Sequence, residues 1–188
     1  MIKKLLFYFA FTGFICAVIV HILSLANIDV NETLPFVWLL HIGIFIVWIP
    51  TVFDLRNSPD LKDLQQKKTL GFSNPIQVLK IFFKGAPNWL PFIILLLGLY
   101  AFLNFFRSFL TETGTPDFEN GQYVLKNHGQ LIKVLTAQEY HYHKANLLRG
   151  FSGHWILFYS VATGVLYKYS GFAKPANSEP NTNQIINN

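Results

Sequence analysis

Six histidines are the residues of this chain best suited to chemistry, and the densest group lies in the stretch 136–159, TAQEYHYHKANLLRGFSGHWILFY. His141-Tyr142-His143 is an HxH, and Glu139 extends it to ExHxH. On a strand the two imidazoles would share one face and could hold a metal together; on a helix they diverge by roughly 160°. Thr136 and Glu139 have capping-box spacing, so the segment is expected to be helical, with its histidines as snorkelling interfacial side chains. His128, in His128-Gly129, reads as a turn residue between two strand-like runs.

The other three histidines gain meaning from the apolar runs around them. His21 falls near the end of the run 5–25 and His41 within the run 34–53. His154 opens the run 151–169, and Asn104 and Arg107 lie near the end of the run 89–110. Each run approaches the roughly 20 residues needed to cross a bilayer. The first is expected to be an uncleaved helix, because it exceeds the 7–15 residues of a signal-peptide core. Only 13% of the chain is charged and 52% is hydrophobic, against roughly 25% charged in soluble globular domains. The solvent expected from these totals is a lipid bilayer.

Lysine and arginine counts give an orientation. With the N-terminus inside, the inner segments hold ten: Lys3, Lys4, Arg56, Lys62, Lys67, Lys68, Lys80, Lys84, Lys168 and Lys174. The outer segments hold Lys126, Lys133, Lys144 and Arg149, with Arg107 just inside the third span. The positive-inside rule then places both termini in the cytoplasm. The two pairs of tryptophans near the expected interfaces agree. The net charge of +5 goes to anionic lipid rather than to nucleic acid, since no basic stripe interleaved with aromatics occurs on a soluble face.

The expected fold is therefore an all-α membrane protein, a bundle of four transmembrane helices spanning about 5–25, 34–53, 89–110 and 151–169. Asn74-Pro75 reads as the start of an interfacial helix on the cytoplasmic side. The outer loop 111–150 is expected to hold a turn-rich acidic segment over 111–121 and then a small extracytoplasmic β-hairpin (122–127 and 130–135) plus helix. Residues 174–188, rich in Asn and Pro, read as a disordered cytoplasmic tail. The expected location is a bacterial cytoplasmic (inner) membrane.

On this topology His21, His41, Asn104, Arg107 and His154 all fall in the outer half of the membrane, with His143 above them. Polar groups there turn toward the bundle interior or water. Two readings follow. In one, His21, His41 and His154 ligate a haem iron or a transition metal, and Arg107 holds a carboxylate, a haem propionate or a lipid phosphate. In the other, the same groups form a hydrogen-bonded network that clamps the helices. Gly150 and Gly153 are positions where a helix running from His143 to His154 can break.

No HExxH, P-loop, dinucleotide glycine pattern, GxSxG or CxxCH occurs. Ser152 lies two residues before His154, a spacing too common to define a nucleophile. Cys16 is the single cysteine. The leading expectation is a non-enzymatic accessory or assembly protein that contacts a protein partner through 122–149. A haem- or metal-binding membrane protein and a membrane enzyme acting on a lipid or envelope substrate are the alternatives.

Overall fold

A computed structural model describes residues 1–66 and 75–173. The expected cap Asn74 and the tail 174–188 lie outside these residues. In chain order the elements are α1 (Ile2–Leu25), a short α2 (Val30–Thr33), a 3-10 turn (Pro35–Trp38), α3 (Leu39–Arg56), α4 (Pro59–Gln66), α5 (Pro75–Phe82) and α6 (Leu90–Thr111). There follow β1 (Thr115–Glu119), β2 (Gln122–Asn127), β3 (Gln130–Val134), α7 (Ala137–Leu166) and a closing 3-10 turn (Tyr167–Tyr169).

Among the described residues, α1, the stretch Pro35–Arg56 and α6 are the three helical stretches long and apolar enough to cross a membrane. Their outward faces expose Ile15, Ile19, Ile22, Phe45, Ile49, Leu95, Phe102 and Phe109. Continuous apolar faces of this size are stable against lipid and costly against water. The helices thus support an integral membrane protein.

These helices are organised by α7, which is less apolar than any of them. At 30 residues it is about 45 Å long. It packs most extensively against α1 and α6 and less against α3, while α1 also touches α3. Half of its residues are buried. It does not break at Gly150 or Gly153. A Cβ on Gly150 would lie 2.8 Å from the Ser108 hydroxyl, and one on Gly153 would lie 2.9 Å from the Asn104 amide nitrogen. These glycines let α6 approach, as small residues do between membrane helices.

A similar notch receives Tyr159. Its ring occupies the space that a Cβ on Gly13 of α1 would need, and its hydroxyl does the same at Gly43 of α3. The hydroxyl donates to the Leu40 carbonyl at 2.8 Å, so one buried side chain keys three helices. At the far end of α7, Lys3 of α1, Asp54 of α3 and Lys168 converge. Asp54 accepts from Lys3 at 2.6 Å and from the Tyr169 hydroxyl at 2.9 Å, and pairs with Lys168 at 3.1 Å.

The segment read as an acidic loop contains a strand. β1 pairs antiparallel with β2, and β2 with β3, giving a three-stranded sheet in the order β1-β2-β3 instead of a lone hairpin. Asn120-Gly121 and His128-Gly129 make the two tight turns, and all four residues have positive φ, as two-residue hairpin loops demand. The Tyr123 ring lies 4.5 Å from that of Tyr140, centroid to centroid, so the sheet rests on the start of α7. Helix α4 was likewise not expected from the polar connection 54–88.

The start of α7 is capped as the sequence predicts. Glu139 N–H donates to the Thr136 hydroxyl at 3.2 Å and Thr136 N–H returns to the Glu139 carboxylate at 2.8 Å. Lys133 of β3 joins at 2.5 Å, tying the sheet to the cap. The Lys133 ammonium and then the Thr136 N–H and hydroxyl hold the Glu139 carboxyl down to about 2.

Two predictions follow from this packing. Gly13→Leu should destabilise the protein in detergent by about 1–3 kcal/mol through overpacking against Tyr159, while the exposed Ile15→Leu should not, as thermal unfolding will read. Glu139 has a folded value below its ordinary 4.5, so its contribution to the cap is complete above about pH 4.5 and is lost as pH falls through about 2. Carboxyl NMR should show a Glu139 midpoint near 2, rising toward the ordinary value in Lys133→Ala.

Candidate functional site

The chemistry-bearing residues gather on a polar seam between α6 and α7, closed by the end of α1. On α6 the stripe is Tyr100, Asn104, Ser108 and, at the cap, Glu112, spaced four residues apart so that they stack on one face. The facing residues of α7 are His143, Asn146, Arg149, Ser152 and Gly153. Each turn of α6 contributes one rung. Asn104 donates its amide to the Arg149 carbonyl at 2.8 Å, and the Ser108 hydroxyl donates to the Asn146 carbonyl at 2.9 Å. Glu112 accepts from His143 Nδ1 at 2.9 Å and from the Asn146 amide.

One turn deeper, the seam extends to α1. His21 Nε2 lies 2.5 Å from the Tyr100 hydroxyl, and His21 Nδ1 lies 2.8 Å from Ser152 Oγ, which is itself 3.3 Å from the Arg149 carbonyl. Only one proton arrangement gives every donor an acceptor among these groups. Tyr100 donates to Nε2, Nδ1–H donates to Ser152, and Ser152 donates to the carbonyl. His21 is then a neutral Nδ1–H imidazole whose two nitrogens are both occupied.

Arg149 is the least expected member. Its side chain is buried, with Nη2 donating to the Ser24 carbonyl at 2.6 Å and to the Asn27 side-chain oxygen at 2.9 Å. Its Nε has no partner and it forms no ion pair with any described carboxylate. It bonds instead to the C-terminal end of α1, where unsatisfied carbonyls and the helix dipole favour a cation.

The structure distributes the sequence-predicted residues unevenly. His21, Asn104 and His143 lie on the seam. Arg107, expected to line the site, is exposed and makes no side-chain hydrogen bond or ion pair with the described residues. The stripe through residues 100, 104 and 108 leaves residue 107 on its shoulder, and Arg149 from α7 holds the buried position. His41 is on another face of α7, where its Nδ1 accepts from the Trp155 indole at 3.1 Å. His154 donates Nδ1–H to the Gly150 carbonyl of its own helix at 3.0 Å and stacks edge-on against Phe105. The three histidines considered as metal ligands thus serve different contacts. No group of three His, Cys, Asp or Glu placed to hold a metal ion occurs among the described residues.

The HxH diverges as a helix requires. His141 approaches Asp29 and Glu32 at 3.9 and 3.7 Å, whereas His143 turns to Glu112. Ser152 and Arg149 were among the residues that sequence reasoning missed. Their signal was the run Arg149-Gly150-Phe151-Ser152-Gly153, in which small residues spaced for close packing follow a cation one turn earlier.

Comparison with known proteins yields no matching family model, no matching curated protein and no matching solved structure. What the seam can do therefore rests on its geometry. Ser152 and Ser24 are fully buried, and His21 is 4% exposed, so the Ser–His pair has no open face for a substrate. The arrangement is built to fasten α1 and α6 to α7.

A double-mutant cycle of His21→Ala and Tyr100→Phe should give a coupling energy of about 0.6–1.7 kcal/mol, the range of hydrogen bonds between membrane helices. Unfolding in detergent measures it; zero coupling would remove this bond from the clamp.

Proposed function

We propose that this chain is a non-enzymatic accessory or assembly protein of a membrane complex that meets its partner through the outer subdomain. The observation carrying this reading is the free edge and faces of β3. Leu131, Ile132 and Val134 are all exposed on this last strand of the sheet, and Phe118 is exposed on β1. An unprotected edge strand with apolar side chains is a template for pairing with another chain. The rigid attachment of the sheet to α7 through Tyr123–Tyr140 and the Lys133–Glu139 pair supports it. So does the closed state of the polar seam, where an enzyme would need access.

In the topology that goes with this proposal, α1, α3, α6 and the C-terminal half of α7 are four spans. Both termini face the cytoplasm, and α4 and α5 lie in the inner headgroup region of a bacterial cytoplasmic membrane. Lys3, Lys4, Arg56, Lys62, Lys80, Lys84 and Lys168 at the inner end, against Lys126, Lys133, Lys144 and Arg149 at the outer end, agree with the positive-inside bias. A haem or metal role for His21 would require breaking one of its two hydrogen bonds, so the clamp is preferred.

The test is purification of the full chain from its native membrane in mild detergent. A stoichiometric partner or a defined self-assembly is expected. Leu131→Lys with Ile132→Lys should release it while changing stability by no more than about 0.5 kcal/mol, as for other surface substitutions. A chain that always runs as a lone monomer would sink the proposal.

A further inference from the structure

Far from the seam, a cavity of about 760 Å³ opens where the ends of α1, α3 and α7 meet the turn after α5; Lys3, Asp54, Asp60, Lys84, Lys168 and Tyr169 line it. Its carboxylates are already engaged. Asp54 holds Lys3, Lys168 and the Tyr169 hydroxyl, and Asp60 holds Lys84 at 2.6 Å. Its ammonium groups are not exhausted. Each Nζ has three donors, and among the described residues the bonds to Asp54, Asp60 and Tyr169 leave at least one free on each lysine. Three ammoniums against two occupied carboxylates repel a cation and favour an anion with several acceptor oxygens.

Beside it runs an almost wholly apolar groove of about 600 Å³, lined by Leu79, Phe82, Phe92, Leu95, Leu99 and Phe102 among others, between α5, α6 and α7. The two spaces lie on either side of the turn that follows α5. Phe83 lines the groove and packs on Gly164, while Gly85 lines the cavity and sits over Lys168. Gly164 and Lys168 are four residues apart, roughly 6 Å along the helix. A basic cavity at the end of spanning helices, next to an apolar groove, has the form of a headgroup and acyl-chain site.

We propose that this end of the protein binds one anionic phospholipid, its phosphate held by Lys84, Lys168 and Lys3 and an acyl chain laid in the groove. In the orientation proposed above, the lipid belongs to the cytoplasmic leaflet. A soluble phosphate would satisfy the lysines but has no use for the groove.

Native mass spectrometry of the full chain in detergent tests this with phosphatidylglycerol, phosphatidylcholine of the same chains, and glycerol 3-phosphate. Phosphatidylglycerol should be retained at least tenfold better than phosphatidylcholine. Lys84→Gln should weaken that preference and the double variant with Lys168→Gln abolish it, whereas Lys84→Arg keeps it. Gly98→Phe, filling the groove, should lower retention of both lipids. The Lys84–Asp60 pair is exposed and surface pairs of this kind matter little for folding, so Lys84→Gln decides the matter even if the double variant is unstable. Equal retention of the two lipids, or a preference unchanged in Lys84→Gln, overturns the proposal. So does glycerol 3-phosphate binding as tightly as phosphatidylglycerol and indifferently to Gly98→Phe, which would mark a soluble-anion site.

Discussion

A helix that carries Asn146, Arg149, Ser152 and Ser160 cannot be buried among apolar helices without partners for them. Every such group buried unpaired costs free energy, and α7 also presents glycines where its neighbours must come close. The solution is to surround it with helices that are apolar outside and polar only along one inward stripe. Asn104 and Ser108 of α6, with His21 and Ser24 of α1, supply that stripe. The three apolar helices make far fewer contacts with one another than with α7, so the architecture depends on satisfying the polarity of a single element.

The energetics of the seam are modest rung by rung, since hydrogen bonds between membrane helices contribute little each. Register is what they decide. Asn104 and Ser108 each donate to a backbone carbonyl of α7, and each is matched to a glycine on the same face. A slide of one residue would leave side-chain donors unpaired and drive Cβ atoms into the notches. Arg149 acts similarly at the end of α1, where it gathers the Ser24 carbonyl and the Asn27 side chain.

Much of the fold was legible in the sequence, and the failures have particular causes. Apolar run length located α1, α3 and α6 to within a few residues, and the Thr136–Glu139 spacing located the start of α7. β1 escaped because Pro116, Asp117 and Glu119 have turn composition, although Asn120-Gly121 is a strong hairpin signal. The site was less legible. Arg107 drew attention because it interrupts an apolar run, but one position around a helix separates a buried face from an exposed one. Ser152 was judged against its neighbour His154, whereas its partner His21 is 131 residues away. Such pairings are set by helix packing, so the local run around Ser152 marks a close-packed face without naming its partner.

The position of α7 after α1, α3 and α6 bears on how the protein comes to be made. During synthesis α1, α3 and α6 emerge first, with His21 lacking Ser152 and Asn104 lacking the Arg149 carbonyl, which only residues 137–166 provide. Until α7 has been made, these helices have little to hold them in place, and the Gly13–Gly43 notch waits for Tyr159. A chain stalled or truncated before residue 137 would thus be a loose set of apolar segments with unpaired polar groups, a natural substrate for membrane chaperones and proteases. The fold is complete only once α7 has taken its place among α1, α3 and α6.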